Sequence, residues 1–90
     1  MTGLSTVPAF RRGVKFRFDE VRSRWIVLAP EKLLLPDEIA TEILKLVDGA
    51  RSIDAIVDAL ATRFDAPRAV ICGDVVQALQ HLSTRGAIQL

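Results

Sequence analysis

The stretch from Trp25 to Gly49 constrains the fold more than any other part of the chain. Trp25–Ala29 is apolar at every position, which is typical of a central strand covered on both faces. After a Pro30-Glu31 turn, Lys32–Leu35 is a second, mostly apolar run, and Pro36 ends it because proline cannot donate to a sheet ladder. An amphipathic segment then extends to the glycine. The stretch predicts strand, turn, strand and helix in succession, and it contains no plausible catalytic set.

Length and composition favour one small domain. The chain has 90 residues, of which 50% are apolar and 26% are charged. No apolar run approaches the ~18 residues that span a membrane, and the first residues lack the pattern of a secretory signal. Cys72 is the only cysteine, which excludes an internal disulfide and fits a reducing compartment. These features predict a cytoplasmic protein with no membrane contact.

Charge is distributed unevenly along the chain. Residues 1–24 hold six Lys or Arg against two Asp or Glu, a balance of +4, whereas residues 25–90 hold six against nine, a balance of −3. A solvated basic strand and tail accounts for this distribution. The alternative is a binding surface for an acidic partner or for nucleic-acid phosphates.

The remaining pattern predicts strands before helices. Residues 1–10 show no periodicity, so we expect a flexible N-terminal segment there and a single domain at residues 11–90. From Val14 to Phe18 apolar and charged residues alternate, which is typical of a half-buried strand, and the polar residues 19–24 predict a hairpin connection. The prediction is an α+β fold of the winged helix-turn-helix type, with three antiparallel N-terminal strands followed by three helices.

Start and stop signals predict the helices. Asp37 is a suitable N-cap for the first helix, and Gly49 would end it as the C′ residue. Ser52 would cap the second helix, and Asp65 would cap the third ahead of Pro67 in its first turn. The first two helices would bury these apolar faces: Ile39, Ile43, Leu46 and Val47, then Ile53, Ile56, Val57, Leu60, Ala61 and Phe64.

The third helix would extend to about Arg85, where Gly86 would end it before a short extended tail. Its apolar side chains fill an arc of roughly 180°, whereas a core-facing helix needs only about 100°. The arc consists of Ala78, Ile71, Leu82, Val75, Leu79, Cys72, Val76 and Ala69. We expect part of this surplus to line a groove.

The run at residues 32–35 would form one edge of the sheet. An edge strand presents unpaired N–H and C=O groups, and beside apolar pockets it can bind an extended peptide as an additional strand. The pattern therefore favours a module that captures a peptide between its third strand and its third helix.

The sequence contains no motif for catalysis or metal binding. Cys72 and His81 lie nine positions apart, on opposite sides of one helix, and cannot form a nucleophile–base pair there. One cysteine and one histidine do not supply a zinc site, and no glycine-rich phosphate loop is present. Asp54 and Asp58 share a helix face, where adjacent carboxylates are usually solvated. We expect no catalytic residue, no metal and no cofactor in this chain.

Two other functions stay open at this level. Residues 53–85 have the pattern of a helix-turn-helix, as in a winged-helix DNA-binding module. The would-be recognition helix, however, offers Arg68 and Asp74 among apolar residues, and few donors for phosphates or bases. A structural subunit with a permanently covered apolar arc is the other alternative, and it would be poorly soluble or oligomeric when isolated.

Three segments, in order, carry a resemblance to a known family. They are PAFRRGVKFRFDEVRSRWIVLAPE, EILKLVDGARSIDAIVDALATRFDAP and GDVVQAL, within a match from about Pro8 to Leu90. The chain resembles the PqqD family of pyrroloquinoline quinone biosynthesis, whose members are precursor-peptide recognition elements with a winged-helix fold. The resemblance implies a peptide chaperone that presents a ribosomal precursor peptide to a radical-SAM enzyme. The iron–sulfur cluster and S-adenosylmethionine would belong to that enzyme.

The resemblance also implies a peptide-binding site. Lys32, Leu33, Leu34 and Leu35 would supply the strand edge, and Ile71, Asp74, Val75 and Ala78 would line the helix side. The alternative is that the leucines and Val75 are core residues only. Pro36 departs from the family pattern at the start of the first helix, which shortens the run available for backbone pairing and leaves the register of the peptide open.

Overall fold

The computed structural model describes residues 3–90. The elements in chain order are β1 (Ala9–Phe10), β2 (Lys15–Asp19), β3 (Arg24–Ala29), β4 (Lys32–Leu34), α1 (Glu38–Leu44), α2 (Ile53–Phe64), α3 (Arg68–Thr84) and β5 (Ile88–Gln89). The predicted α+β class, with antiparallel strands followed by three helices, is confirmed. No helix in this described part of the chain is long and apolar enough to cross a membrane.

The larger sheet has the order β2-β3-β4, and both pairs are antiparallel. Phe16 lies opposite Val27, which lies opposite Leu34, so these three side chains share one face of the sheet. That face meets the helices, because Val27 and Leu34 belong to the buried core and Phe16 packs against it. The predicted central position of the apolar strand is confirmed, and β4 lies at one edge.

The smaller sheet was not predicted. β1 pairs antiparallel with β5, with Ala9 opposite Gln89 and Phe10 opposite Ile88. The carbonyl of Thr6 also accepts a hydrogen bond from the N–H of Ile53 at 2.8 Å, which satisfies one of the donors that the first turn of a helix leaves free. The segment 1–10, predicted to be flexible, therefore includes paired backbone, while residues 1 and 2 lie outside the described residues. The boundary between an N-terminal segment (residues 1–10) and a domain (residues 11–90) stays a prediction.

The first helix is shorter than predicted. Asp37 is its N-cap and accepts from the N–H of Ala40, as expected, but α1 ends at Leu44 rather than before Gly49. The N–H groups of residues 46 and 47 bond to carbonyls three positions back, as in a 3₁₀-helix, so the α-helical bonding pattern ends before these residues. Gly49, with φ of +77°, lies in the turn that follows. Ile39 was predicted to be buried and is 58% exposed.

The connection between α2 and α3 also differs from the prediction. Ser52 caps α2 as expected, but Asp65 ends α2 in a left-handed conformation instead of capping α3, and its N–H donates to the carbonyl of Ala61. Pro67 occupies the N-cap position of α3 without a side-chain bond. Phe64, the last residue of α2, is 51% exposed. The predicted end of α3 is confirmed, with Gly86 at φ +82° after it.

One core joins the helices to the larger sheet. It consists of Val27, Leu34, Ile43, Leu44, Val47, Ile53, Ile56, Val57, Leu60, Val75, Leu79, Leu82, Ala87 and Ile88. Arg68 fixes the start of α3 against α2, because its guanidinium bonds to both Asp54 and Asp58, at 2.7 Å to the latter. The paired carboxylates raise the pKa of Arg68. One face of α2 therefore packs in the core, and another face holds the start of α3 through the ion pairs with Arg68.

Candidate functional site

A groove of about 760 Å³ runs between β4 and α3. Its strand side is Leu33, Leu34, Leu35 and Pro36, its helix side is Asp74, Gln77, Ala78, His81, Leu82 and Arg85, and the start of α1 closes one end with Asp37, Ile39 and Ala40. In the described part of the chain, β3 is the only strand paired with β4. The other backbone edge of β4 lies on the groove side, where an added strand could pair.

A smaller cavity of about 290 Å³ lies beside the groove, between the three helices. It is lined by Glu38, Ile39, Glu42, Ile43, Leu60, Arg63, Phe64, Ile71, Asp74 and Val75. Ile39 and Asp74 line both spaces, so the two are neighbours around these side chains. The pair of cavities forms one extended surface along α3.

Apolar side chains with large exposed fractions surround these cavities. Ile39 is 58% exposed, Phe64 51%, Leu35 49% and Leu33 38%, and each of the four lines at least one of the two cavities. Isolated exposed apolar residues need no explanation, but a set gathered along one concave surface indicates a binding site.

The predicted site residues divide into three groups. Leu33, Leu34, Leu35, Asp74 and Ala78 line the larger groove, and Ile71 and Val75 line the smaller cavity with Asp74. Lys32 lines neither, and its ammonium donates to the carbonyl of Arg85 at 2.9 Å. Leu34 and Val75 are 8% and 1% exposed and belong to the core.

Sequence reasoning missed several residues of this surface. Ile39 and Phe64 were assigned to buried helix faces, and His81 to the polar side of α3. The signal for the helix side was nevertheless present, because positions three, four and seven apart share a helix face. Starting from Asp74 and Ala78, that spacing reaches Gln77, His81, Leu82 and Arg85, all of which line the groove.

Glu42 is one of three carboxylates that line the smaller cavity, with Glu38 and Asp74. It accepts a hydrogen bond from Lys45 at 2.9 Å and forms a salt bridge with Arg63. The bond from Lys45, aided by Arg63, holds the pKa of Glu42 below its ordinary value even though partial burial acts in the opposite direction. The carboxylate is therefore neutralised by protein cations and ties α1 to α2.

The described residues give little support to DNA readout by α3. The guanidinium of Arg68, the basic residue of the would-be recognition helix, is already engaged by Asp54 and Asp58. A helix that reads a groove needs free donors near its start. Between residues 3 and 90 there is also no group of three or more His, Cys, Asp or Glu side chains that could hold a metal ion.

Comparison with known proteins identifies the family. A family model described as coenzyme PQQ synthesis protein D (PqqD) matches residues 24–88. The chain belongs to the PqqD family. A PqqA binding protein of Rhodopseudomonas palustris (strain BisB5) is 58% identical over 79 residues, which is 88% of this chain and 78% of that protein. A bifunctional coenzyme PQQ synthesis protein C/D of Methylorubrum extorquens is 39% identical over 85 residues, which is 94% of this chain and 23% of that protein.

Solved structures of PqqD proteins share the fold. The solution structure of the PqqD truncation of Methylobacterium extorquens PqqCD, described as a functional and stand-alone RiPP recognition element, superposes with a TM-score of 0.84 at 37% identity, covering 100% of this chain and 96% of that one. The crystal structure of PqqD from Xanthomonas campestris gives a TM-score of 0.59 at 33% identity, covering 94% of each chain. The resemblance seen in the sequence is confirmed.

Proposed function

We propose that this protein is a peptide chaperone of pyrroloquinoline quinone biosynthesis and that it binds a PqqA precursor peptide as a strand added to β4. The observation that carries the proposal is the outer edge of β4, which pairs with no strand within residues 3–90 and lies along the groove. Relatives named PqqA binding proteins support the choice of peptide. The protein acts as a binder rather than as an enzyme, in the cytoplasm where ribosomal peptides are made.

Backbone pairing at this edge centres on Leu33. Pro30-Glu31 connects β3 to β4 as a two-residue turn, and Ala29 and Lys32 form its closing pair. The carbonyl and N–H that bracket such a turn bond to each other, and pairs along an antiparallel ladder then alternate. By this alternation Lys32 and Leu34 direct their N–H and C=O groups to β3, while those of Leu33 face the groove. Pro36 lacks an N–H, so it ends the ladder available to the peptide.

Delivery of the peptide to a radical-SAM enzyme is the second part of the proposal. That enzyme would carry the iron–sulfur cluster and S-adenosylmethionine and join a Glu to a Tyr side chain of the peptide. The sheet face away from the core is a suitable contact surface for it. Lys15 and Arg17 are exposed there, on the opposite face from Phe16, and they form no salt bridge with any residue in the range 3–90. Their charges would favour an acidic partner surface.

An amide-proton NMR titration with the cognate PqqA peptide tests the peptide-binding part. We expect shifts concentrated at residues 32–36, 39–40 and 71–85. Shifts centred on residues 11–24, or no shifts at all, would contradict strand addition in the groove.

A binding measurement with the radical-SAM enzyme tests the delivery part. The double variant Lys15→Glu/Arg17→Glu should weaken binding to that enzyme while leaving affinity for the peptide unchanged. Equal enzyme binding by the variant and the unmodified protein would refute that contact surface.

A further inference from the structure

The charged residues of the groove separate by sign along its length. Asp37 and Asp74 line the end near the start of α1. At the opposite end, Arg85 lines the groove and the Lys32 ammonium bonds to the Arg85 carbonyl, with His81 one helical turn before it. Within residues 3–90, no salt bridge involves any of these four side chains: Asp37, Asp74, Arg85 and Lys32. The groove therefore has an acidic end and a basic end.

Helix termini reduce this contrast without removing it. The acidic end includes the N-terminus of α1, where Asp37 accepts from the N–H of Ala40, and the basic end includes the C-terminus of α3, where Lys32 lies. A helix terminus carries a partial charge of about half an elementary charge, positive at the start and negative at the end. The acidic end also has the guanidinium of Arg24, which donates to the carbonyl of Pro36 at 2.9 Å, but Asp37, Asp74 and the neighbouring Glu38 outnumber it. At the basic end Arg85 lines the groove and the Lys32 ammonium lies beside it, so each end keeps its sign.

The length of the groove sets the number of peptide residues between the two ends. Asp74 and Arg85 are eleven positions apart on α3, which at 1.5 Å per residue is about 16 Å. An extended chain advances about 3.4 Å per residue, so about five peptide residues cover that distance. Side chains on one face of a strand are an even number of positions apart, so residues separated by about four or six positions can reach both ends at once.

The chain direction follows from the pairing of β4. β4 begins at Lys32, beside the end of α3, and continues toward Asp37, beside Asp74. The sheet is antiparallel throughout, and sheets of a single pairing type are over-represented. A strand added antiparallel to β4 places its N-terminal residues over Asp37 and Asp74 and its C-terminal residues over Lys32 and Arg85.

We propose that, for a peptide strand added antiparallel to β4, the groove selects the charge order of the peptide: a basic residue about four or six positions N-terminal to an acidic residue, with the basic residue at Asp37 and Asp74. This inference rests on the proposed function, and it defines which peptides the groove accepts. Opposite charges across the contact favour one orientation, and the reversed orientation would bring like charges together at both ends.

Charge reversal tests the selection. Asp74→Lys and Arg85→Glu alter exposed side chains, and each should weaken binding of the cognate PqqA peptide by about two- to fivefold, in the range expected for exposed ion pairs. A synthetic peptide in which the basic residue is replaced by Glu should bind the Asp74→Lys variant with restored affinity. It should not restore the affinity of the Arg85→Glu variant. The matched controls are Glu20→Lys and Arg12→Glu, which make the same changes in net charge at exposed positions outside the groove and should leave affinity unchanged.

A nitroxide label tests the direction on the unmodified protein. A label at the N-terminal end of the bound peptide should broaden the amide signals of residues 37–40, and one at the C-terminal end those of Lys32 and Arg85. The reversed pattern, or charge reversals no different from their controls, would overturn this inference and leave the proposed function standing. Absence of any peptide binding by the unmodified protein would instead refute the proposed function itself.

Discussion

The Nζ of Lys32 lies 2.9 Å from the carbonyl oxygen of Arg85 and donates a hydrogen bond to it. This contact joins the first residue of β4 to the C-cap of α3, two elements that are far apart in sequence. It closes one end of the groove, and it fixes the spacing between the strand edge and the helix. A residue predicted to pair with a peptide through its backbone therefore has a second role through its side chain.

Lys32→Met should loosen this end of the groove. Methionine keeps an unbranched apolar stem and loses the ammonium, so only the hydrogen bond and the charge are removed. We expect the free energy of unfolding to fall by about 1 kcal/mol or less, since the bond is exposed. Urea denaturation provides the measurement. Lys15→Met, on the outer face of the sheet, is the control, and equal stabilities for the two variants would mean that the contact does not stabilise the fold.

Leu33→Pro should separate the backbone contribution to peptide binding from that of the side chain. Proline removes the N–H that faces the groove, and it leaves the bonds of Lys32 and Leu34 to β3 in place. Peptide affinity, measured by calorimetry, should fall more for Leu33→Pro than for Leu33→Ala. Lys32→Pro is a poorer test, because the N–H of Lys32 belongs to the turn between β3 and β4. Equal affinities for the proline and alanine variants would argue against an added strand.

Groove and core residues should respond differently to truncation. Leu35→Ala and Ile39→Ala alter side chains that are 49% and 58% exposed, and we expect stability to change by less than about 0.5 kcal/mol while peptide affinity falls. Leu79→Ala alters a fully buried side chain and should lower the free energy of unfolding by about 2–5 kcal/mol. Thermal unfolding and calorimetry measure the two quantities. Loss of stability without loss of affinity in Ile39→Ala would place this residue outside the binding site.

Val75→Asp and Leu34→Asp are unsuitable as binding probes. Both side chains are in the core, at 1% and 8% exposure, so a buried carboxylate would unfold the domain. We expect loss of the cooperative unfolding transition in both variants, measured by circular dichroism. Exposed groove residues such as Leu35 and Ile39 are the informative positions for binding.

Acid should destabilise the protein partly through Glu42. Its pKa is lowered in the folded state, chiefly by the hydrogen bond from Lys45 and further by Arg63. The stabilisation is therefore complete above about pH 4.3, the usual value for glutamate, and is lost as the pH falls through the lower folded-state value. Glu42→Gln should be less stable than the parent at pH 7 and should show a smaller decrease between pH 5 and pH 3. An unchanged pH profile in denaturation experiments would contradict this assignment.

Local signals explain why much of the fold could be predicted. Asp37 and Ser52 cap helices because their side chains accept from free first-turn N–H groups, an interaction within four residues of sequence. Gly86 ends α3 because it adopts a positive φ at little energetic cost. The early end of α1 was missed because Asp48 bonds to the N–H groups of Ala50 and Arg51, which favours a turn over the helical continuation that the apolar spacing suggested.

The sequence by itself determined the class of fold, the position of most elements, the family, and a strand edge beside a long amphipathic helix. Those features depend on periodicity, capping and motif order, which act over short distances along the chain. Only the tertiary structure decided which apolar residues are left exposed. Ile39 and Phe64 have the spacing of core residues, yet they line cavities because packing between helices, rather than position on a helix, determines what is covered. The separation of Asp74 from Arg85 and Lys32 into two ends of one groove likewise arises only when β4 and α3 lie side by side.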